Sequence, residues 1–528
     1  MNLNNINKIN SLPYYIFISI FAFFINYWVA SRGVFPIDTF VHYDSAARIL
    51  IGEMPIKDFW IVHGLLVDFI QSIFFKFFGI NWNAYVIHAS VFNLIVSLFT
   101  FKIFQICNIK SIYGFFLTLC FSVLAYPVSG TPFLDLHSVY FSLIAIYFLI
   151  LSINKSSNYF ITLSVLFFGF AFLCKQVPAA YTIICITLFL IYYSLRIRKL
   201  NPIKFSLIGI SLFLFLFVIF LMITEIQIND LFFQLFIFPS SIAQERYSTV
   251  QLNINNIFLD YKLIYFFLLI MLTFLIKNYY DKRKFSEKDF YIYIIIFVFC
   301  LSIIYHQIFT KNQIFIFFII PVLCAFSIKM VDSLKLNKKE YLKIFLILIC
   351  LFSTFKYHER FNIDRKFHEL VNTNLKQGIQ IKFAEKFFKG LKWITPNYEN
   401  PKVEMKEIKS FYNLIKKDKS RKMLISNYTF YSALLNQKLY SPSRTYDQIS
   451  YPQKGDRYFK RYKFFFKNNI TKNKIQNIYI FYTQKKINTR FLEMTILNYL
   501  PSECIRTQLS SDYVRKFKII DCEYLNKK

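Results

Sequence analysis

The stretch FSLIGISLFLFLFVIFLMI, from Phe205 to Ile223, carries no charged side chain over nineteen residues. A helix of about 20 apolar residues crosses the hydrocarbon core of a bilayer, so this stretch predicts a membrane-spanning helix. YYIFISIFAFFINYWVA (Tyr14–Ala30) and FYIYIIIFVFCLSII (Phe290–Ile304) are equally apolar. The whole chain of 528 residues is 56% hydrophobic and 17% charged, against about 25% charged in soluble domains. The composition therefore indicates a polytopic membrane protein.

The apolar segments predict about eleven spans, so the expected fold class is mostly α, a polytopic membrane helix bundle. The predicted spans cover residues 12–30, 86–106, 112–127, 138–153, 159–174, 178–195, 204–223, 262–277, 290–306, 313–330 and 341–356.

The loops between these spans alternate in charge, which predicts their orientation. RIRKLNPIK (196–204) and KMVDSLKLNKK (329–339) are basic, whereas PVSGTPFLD (127–135) has no Lys or Arg. Basic loops stay in the cytoplasm, so the N-terminus is predicted to be cytoplasmic and the residues after 356 extracytoplasmic, in an inner (plasma) membrane. The formal net charge of +32 fits loops beside anionic lipid and does not indicate nucleic-acid binding.

Two domains are expected, a membrane domain over residues 1–356 and an extracytoplasmic α/β domain over residues 357–528. In the second, EMKEIKSFYNLIKK and RYFKRYKFFFKNN have helical spacing, while RKMLISN and KIQNIYIFY are typical of strands. Cys504 and Cys522 lie near its end. In an oxidising compartment they could close a disulfide, and otherwise they are two unpaired thiols.

The first loop, between the first two spans, gathers more charge than a connector needs. HYDSAARILIGEMPIKDFW (His42–Trp60) holds three acids, a His, an Arg and a Lys. DSAARILIGEMP predicts a short helix that begins at Asp44 and ends at Gly52. VDFIQSIFFKFFG (67–79) is amphipathic, as a helix in the membrane interface would be. We therefore expect a structured first extracytoplasmic loop.

Asp44 has two interpretations. It can cap the helix N-terminus, or its carboxylate can act as a general base towards a hydroxyl. Capping would leave the other acids and the His of the loop unexplained. These residues are Asp38, Glu53, Asp58, His63 and Asp68.

Asp135 and His137, in GTPFLDLHSVYF, stand at the predicted outer end of the fourth span. They can serve as helix-end residues, or they can hold a divalent cation together with Asp44, because ionisable groups near a span usually face a cavity or a partner.

Two outer turns carry cations and amides against the positive-inside trend. LCKQVPAAY contributes Lys175 and Gln176, and YHQIFTKNQIF contributes His306, Lys311 and Gln313. The lysines can snorkel towards the headgroups, or these side chains can bind a phosphate at the lipid boundary.

DSAARILIGEMPIKDFW…HG, FLCKQ, HQIFTKNQIFIFFIIP and YSALLNQKLYSPSRTYD together resemble segments of the C-type (GT-C) polytopic glycosyltransferases. The similar branch contains the protein mannosyltransferases and the lipid A aminoarabinose transferases. That resemblance implies inverting sugar transfer from a polyprenyl-phosphate donor to an extracytoplasmic acceptor, with a first-loop Asp as the base.

By position, the resemblance assigns the role of base to Asp44, with Asp38 in reserve. It places Lys175 and Lys311 against the donor phosphate, and it gives Asp135 the place of an acid that in some members helps to hold a metal ion. Several members have adjacent Asp-Glu in the first loop, whereas Ser45 follows Asp44 here, which leaves the use of a metal open.

The alternative function is a transporter or flippase of lipid-linked carbohydrate. Such proteins often show internal repeats and place ionisable residues at the bilayer midplane. No repeat is evident here, and the charges lie at one end of the predicted bundle. The expected partners are a polyprenyl-phosphate-linked sugar, membrane lipid and an acceptor that the sequence does not identify.

Overall fold

The computed structural model describes residues 11–31, 33–34, 36–126, 130–248, 252–281, 286–310, 316–333, 338–365, 370, 372–396, 398–447, 449–483 and 487–526. The chain forms two compact units. The helical unit comprises Met1–Ala30, Val86–Ile219 and Arg246–His368, and the mixed unit comprises Ser31–Tyr85, Phe220–Glu245 and Glu369–Lys528.

Helices make up most of the described chain. In chain order they are α1 (Leu12–Val29), α2 (Pro36–Leu50), α3 (Leu66–Phe78), α4 (Trp82–Ile106), α5 (Ser111–Ala125), α6 (Leu134–Lys155), α7 (Tyr159–Cys174), α8 (Gln176–Ile197), α9 (Asn201–Thr224), α10 (Ile228–Phe232), α11 (Phe238–Ser248), α12 (Lys262–Asp281), α13 (Glu287–Thr310), α14 (Ile319–Asp332), α15 (Lys339–Tyr357), α16 (Glu385–Phe388), α17 (Pro401–Lys417), α18 (Tyr431–Leu435), α19 (Phe459–Asn473), α20 (Thr489–Leu492) and α21 (Glu523–Asn526).

Among the described residues, seven helices are long and apolar enough to cross a membrane, namely α1, α4, α6, α8, α9, α13 and α15 with its extension to Ile363. Each of the eleven predicted spans overlaps a helix. The prediction of a mostly helical, multi-pass membrane protein is confirmed, and the count of eleven spans stays a prediction.

The helical unit is organised around α6. Nearly all residues of α6 are buried, and the helix packs against α7, α8 and α13. Amide side chains join other helices of the unit. The Asn93 amide donates to the carbonyl oxygens of Ala22 at 2.8 Å and Ser122 at 3.0 Å, which ties α4 to α1 and α5. Polar side chains of this kind connect helices where no hydrophobic effect can hold them together.

The mixed unit contains a four-stranded sheet in the order β3-β4-β6-β5. Its strands are β3 (Lys422–Ser426), β4 (Asn477–Phe481), β5 (Ile505–Ser510) and β6 (Val514–Ile519). β3 and β4 are parallel, so the chain must cross over between them, and α19 lies in that crossover. β5 and β6 form an antiparallel hairpin. Two short strands, β1 (Ile379–Gln380) and β2 (Lys392–Trp393), pair separately.

The predicted helices and strands of the tail agree with α17, α19, β3 and β4. Of the two alternatives for Cys504 and Cys522, the disulfide is the one observed. The mixed unit includes residues of the first loop as well as the tail. A separate domain over residues 357–528 stays a prediction.

First-loop residues pair directly with the tail within the mixed unit. The Trp60 N–H donates to the Pro442 carbonyl at 2.9 Å, and the Arg444 N–H donates to the Trp60 carbonyl at 3.0 Å. Gly33 donates to the Lys392 carbonyl at 3.1 Å. The loop is therefore a structural part of this unit, which agrees with the expectation of a structured first loop.

Candidate functional site

Asp44 lies in the middle of α2, because this helix already begins at Pro36. The prediction of a helix that begins at Asp44, and with it the N-cap interpretation, is wrong. The sequence before Asp44 is helical too, since Pro36 suits a first helical position. Asp44 is 8% exposed and borders a small pocket in the mixed unit. The other lining residues are Leu424, Ser426, Tyr428, Thr429, Tyr431, Ser432, Ser441, Ser443, Arg444 and Tyr446.

The pocket beside Asp44 has a volume of about 10 Å³, roughly what one water molecule needs. Burial raises the pKa of Asp44 to about 6, against opposing effects from the Arg48 charge and hydrogen bonds with Ser432. The nearby Glu53 carboxylate raises this pKa further. One carboxyl oxygen of Asp44, Oδ1, is buried and accepts no hydrogen bond from the described residues. Asp44 is therefore an incompletely solvated acid that titrates close to neutral pH.

Arg48, one turn after Asp44, is fixed on all sides. Its guanidinium donates to Glu53 at 3.1 and 3.2 Å and to the Ser441 carbonyl at 2.8 Å. It also stacks 3.8 Å above the Phe59 ring. Both members of the Arg48–Glu53 pair are buried. The bidentate geometry indicates a structural role for this pair in positioning α2 against the tail.

His42 and Asp68 form a second buried pair, in which Nδ1 of His42 lies 2.5 Å from Oδ1 of Asp68. Arg444 donates to the other oxygen of Asp68 at 3.0 Å. Burial lowers the pKa of His42 despite the charges of Asp68 and Asp38. Its Nε2 is buried without a hydrogen-bond partner among the described residues. In the neutral form Nδ1–H donates to Asp68 and Nε2 is an acceptor.

Asp38 lies in the first turn of α2, one turn before His42. It is half-buried. Unlike Asp44, it is not enclosed by the small pocket. Of the two first-loop aspartates that were predicted as bases, Asp38 is therefore the more accessible.

Asp58 and His63 lie elsewhere in the same unit. The Asp58 carboxylate accepts the Met54 N–H at 2.8 Å and pairs with Lys472 at 3.0 Å. These contacts close a turn and join it to α19. His63 is half-buried in the segment that precedes α3.

Asp135, Lys175 and His306 come together in the helical unit. The Lys175 ammonium donates to both carboxylate oxygens of Asp135, at 2.8 and 2.7 Å, and Nε2 of His306 lies 3.2 Å from Oδ1. Asp135 lies in the first turn of α6, Lys175 is the extended residue between α7 and α8, and His306 is near the end of α13. Two helices, α6 and α13, and the junction between α7 and α8 thus meet at one carboxylate.

The helical break at Lys175 explains how its side chain reaches Asp135. Lys175 has φ −157° and ψ 129°. Its backbone is therefore extended and separates α7, which ends at Cys174, from α8, which begins at Gln176. Its carbonyl accepts from the Ser138 hydroxyl at 3.2 Å. Gln176 is the first residue of α8. Lys311 and Gln313, which were predicted to bind the same phosphate, lie outside the described residues.

His137 does not point to a metal ion. Its Nδ1 lies 2.9 Å from the Phe133 carbonyl and its Nε2 lies 3.1 Å from Nε2 of His88, so both ring nitrogens are engaged. Within the described parts of the chain, no three His, Cys, Asp or Glu side chains are grouped to hold a metal. The metal site of Asp135, His137 and Asp44 gains no support here and stays a prediction.

Sequence reasoning gave no role to His42, Arg444 or Ser432. Arg444 and Ser432 follow α2 by almost 400 residues, and no local pattern connects such distant positions. The signal that existed was the number of ionisable residues in the first loop, which predicted partners without identifying them.

Residues 62–223 match the family model described as dolichyl-phosphate-mannose-protein mannosyltransferase. This match confirms the resemblance over that part of the chain, where the protein is similar to lipid-phosphate-dependent glycosyltransferases. No curated protein sequence matches the chain.

Two solved structures align with nearly the whole chain. ArnT from Cupriavidus metallidurans bound to undecaprenyl phosphate is 11% identical, with a TM-score of 0.49 over 96% of this chain and 97% of that one. The apo form of the same protein is 11% identical, with a TM-score of 0.44 over 97% and 98%. Scores below 0.5 do not establish a shared fold.

Proposed function

We propose, from the match of residues 62–223 to the mannosyltransferase family, that this protein is a membrane glycosyltransferase. It transfers a sugar from a polyprenyl-phosphate donor to an acceptor outside the cytoplasm. The matched segment contains Asp135 and Lys175, which form the buried ion pair of the helical unit. This coincidence of family match and organised charge is the observation that carries the proposal.

Lys175 would bind the donor phosphate. An ammonium group has three N–H donors, of which Asp135 accepts two, so one remains for a phosphate oxygen. The Lys175 side chain is 13% exposed and Asp135 is 3% exposed. Asp135 would thus orient the lysine, and Gln176 would add an amide donor. His306, whose Nε2–H donates to Asp135, would add its Nδ1–H only in the protonated form. Positive charge at the phosphate stabilises the anion that leaves.

The acceptor hydroxyl needs a base, and two aspartates of α2 compete for this role. Asp44 has the favourable pKa of about 6, but the pocket beside it has room for roughly one water molecule. A base must first reach the proton that it removes, and only then does its pKa matter. We therefore place Asp38 in contact with the acceptor and keep Asp44 as the second candidate.

The reaction would invert the anomeric carbon. The acceptor oxygen forms a bond to that carbon as the bond to the phosphate oxygen breaks. The electron pair of the broken bond leaves on the polyprenyl phosphate, and the acceptor proton goes to the aspartate. No acid is needed for the leaving group, because a phosphate is stable as an anion.

The orientation in an inner (plasma) membrane follows from the basic loops, with a cytoplasmic N-terminus and an extracytoplasmic tail. The Cys504–Cys522 disulfide supports this orientation, since disulfides persist in oxidising compartments.

The function is tested by comparing envelope glycolipids, polysaccharides and glycoproteins of cells with and without this protein. We expect one sugar modification to disappear while its polyprenyl-phosphate donor accumulates on the extracytoplasmic side. Loss of a flippase would instead leave the donor on the cytoplasmic side. An unchanged profile of all three acceptor classes would overturn the proposal.

The base is tested by restoring Asp38→Asn or Asp44→Asn protein to the deletion cells. We expect Asp38→Asn to lower transfer by about 100-fold or more, the usual scale for losing general-base help. Asp44→Asn should lower it less. The reverse order, at equal protein levels, would place the base at Asp44.

Donor binding is tested by titrating purified protein with undecaprenyl phosphate in native mass spectrometry. Lys175→Met should weaken binding about tenfold, since a hydrogen bond to a charged group contributes about 1.5–3 kcal/mol. Lys57→Met is the matched control, because Lys57 lies in the other unit and pairs with Glu225. Equal affinities would exclude Lys175 as a phosphate ligand.

A further inference from the structure

A cleft of about 360 Å³ opens in the mixed unit and shares no lining residue with the Asp44 pocket. Its walls are residues 56–60 of the first loop, residues 225–234 and one face of α19. The volume lies at the lower end of the range for small-ligand sites. None of the proposed catalytic steps uses this cleft.

Ion pairs join the three walls of the cleft. They are Lys57 with Glu225 at 2.6 Å, Arg461 with Asp230 at 2.8 Å, and Lys472 with Asp58 at 3.0 Å. Three cations therefore balance three carboxylates, so these pairs give the cleft no net charge. A phosphate or another anion would have to displace a carboxylate from its cation. The charges favour a neutral ligand.

Uncharged groups in the lining are available for such a ligand. Gln227 and Asn468 are exposed, and their side-chain amides make no hydrogen bond to the described residues. Phe464, on the same face of α19, is 59% exposed. The indole N–H of Trp60 is buried and has no acceptor among the described residues. Amide donors and acceptors thus stand beside an exposed aromatic ring.

We propose that this cleft binds a neutral saccharide. Sugar hydroxyls both donate and accept hydrogen bonds, as the amides of Gln227 and Asn468 do, and the C–H face of a sugar ring packs on an aromatic side chain such as Phe464. Glu225 directly follows α9, one of the candidate spans. The saccharide can therefore come from a glycolipid headgroup or from a soluble glycan.

The site is tested by photo-crosslinking in cells that make the full chain. Phe464 is replaced by p-benzoylphenylalanine, which keeps an aromatic ring at this position. Val403 is the control position, because it is 51% exposed and does not line the cleft. After irradiation, adducts on the purified protein are identified by mass spectrometry.

We expect a sugar-containing adduct at position 464 and none at position 403. An adduct that also carries acyl or prenyl chains identifies a glycolipid, and one without them identifies a soluble glycan. A phospholipid or a protein without sugar, or no adduct at all, would overturn the proposal. Crosslinking does not require transfer, so this result is independent of the proposed transferase activity.

The amides are tested in the same experiment with Gln227→Ala and Asn468→Ala together. Losing two hydrogen bonds, each contributing about 0.5–1.5 kcal/mol, should lower the adduct yield about tenfold. Thermal stability and the amount of protein should stay unchanged, because neither side chain makes a hydrogen bond to the described residues of the unit. An unchanged yield would show that the amides do not recognise the ligand.

Discussion

Asp135 of the helical unit and Asp44 of the mixed unit are both buried acids, but their surroundings differ. Asp135 accepts two hydrogen bonds from Lys175 and lies beside His306. Asp44 keeps one oxygen without a partner among the described residues, and its pKa is raised. A buried carboxylate with a paired cation is stable as an anion, whereas one without enough donors favours the protonated form. Removing the carboxylate charge should therefore lower the free energy of unfolding at Asp135 and raise it at Asp44.

The largest expected effect comes from Asp135→Asn. This change leaves the Lys175 ammonium largely buried without its counter-ion, and breaking a buried pair in this way costs about 3–5 kcal/mol. Thermal unfolding in detergent should show a large loss of stability. The double variant Asp135→Asn/Lys175→Met should recover much of it, because no unpaired charge remains. Without such recovery, the pair would not be the source of the effect.

Asp44→Asn should change the stability in the opposite direction at neutral pH. With a folded-state pKa of about 6 against an ordinary value near 3.9, the ionised Asp44 lowers the free energy of unfolding by up to about 3 kcal/mol. Removing the charge removes this cost, so the variant should be more stable at pH 7–8. A strongly destabilised variant would show that the Asp44 anion is stabilised by its neighbours, as the Asp135 anion is by Lys175 and His306.

The pH dependence of stability tests the same difference between the two acids. Between about pH 4 and pH 6 the unfolded state releases the Asp44 proton while the folded state keeps it. The free energy of unfolding should therefore fall as pH rises, by up to about 1.4 kcal/mol per pH unit. Above pH 6 this contribution is constant. The difference between the protein and Asp44→Asn, measured by chemical denaturation across this range, should show the slope, and a flat difference would contradict the raised pKa.

Asp58→Asn should have the smallest effect, within about 1 kcal/mol. Its partner Lys472 is 58% exposed, and exposed pairs contribute little. The amide oxygen of Asn can still accept the Met54 N–H. Thermal unfolding at equal pH and salt is the measurement. A loss as large as that expected for Asp135→Asn would mean that the exposed fraction of the partner does not govern these effects.

Much of the fold was predictable because it depends on local patterns. The apolar segments gave helices at every predicted span, and helix and strand spacing gave α17, α19, β3 and β4 in the tail. The start of α2 was missed because Asp is a preferred N-cap residue, and the helix was therefore predicted to begin at Asp44 instead of Pro36. The sequence from Pro36 onwards is also compatible with a helix, and packing against the tail, as in the contact of α18 with α2, fixes the longer form.

The candidate site was only partly predictable. Asp135, Lys175 and His306 were each singled out, but Asp135 was assigned to a metal ion and the other two to a donor phosphate. Only the structure unites them on one carboxylate. The partners of the first loop lie in the tail, for example Ser441 for Arg48 and Arg444 for Asp68. No periodicity relates residues so far apart.

The sequence alone establishes that this chain enters a membrane many times, because about 20 apolar residues in a row have no better environment than lipid. It also determined that the first loop must do more than connect two spans, since so many charges need partners. Which partners these are depends on the folded structure. Hydrogen bonds and ion pairs act over about 3 Å, and folding alone brings residues hundreds of positions apart to that distance. The same reason explains why Asp44 became a buried, raised-pKa acid while Asp135 became the anchor of a lysine.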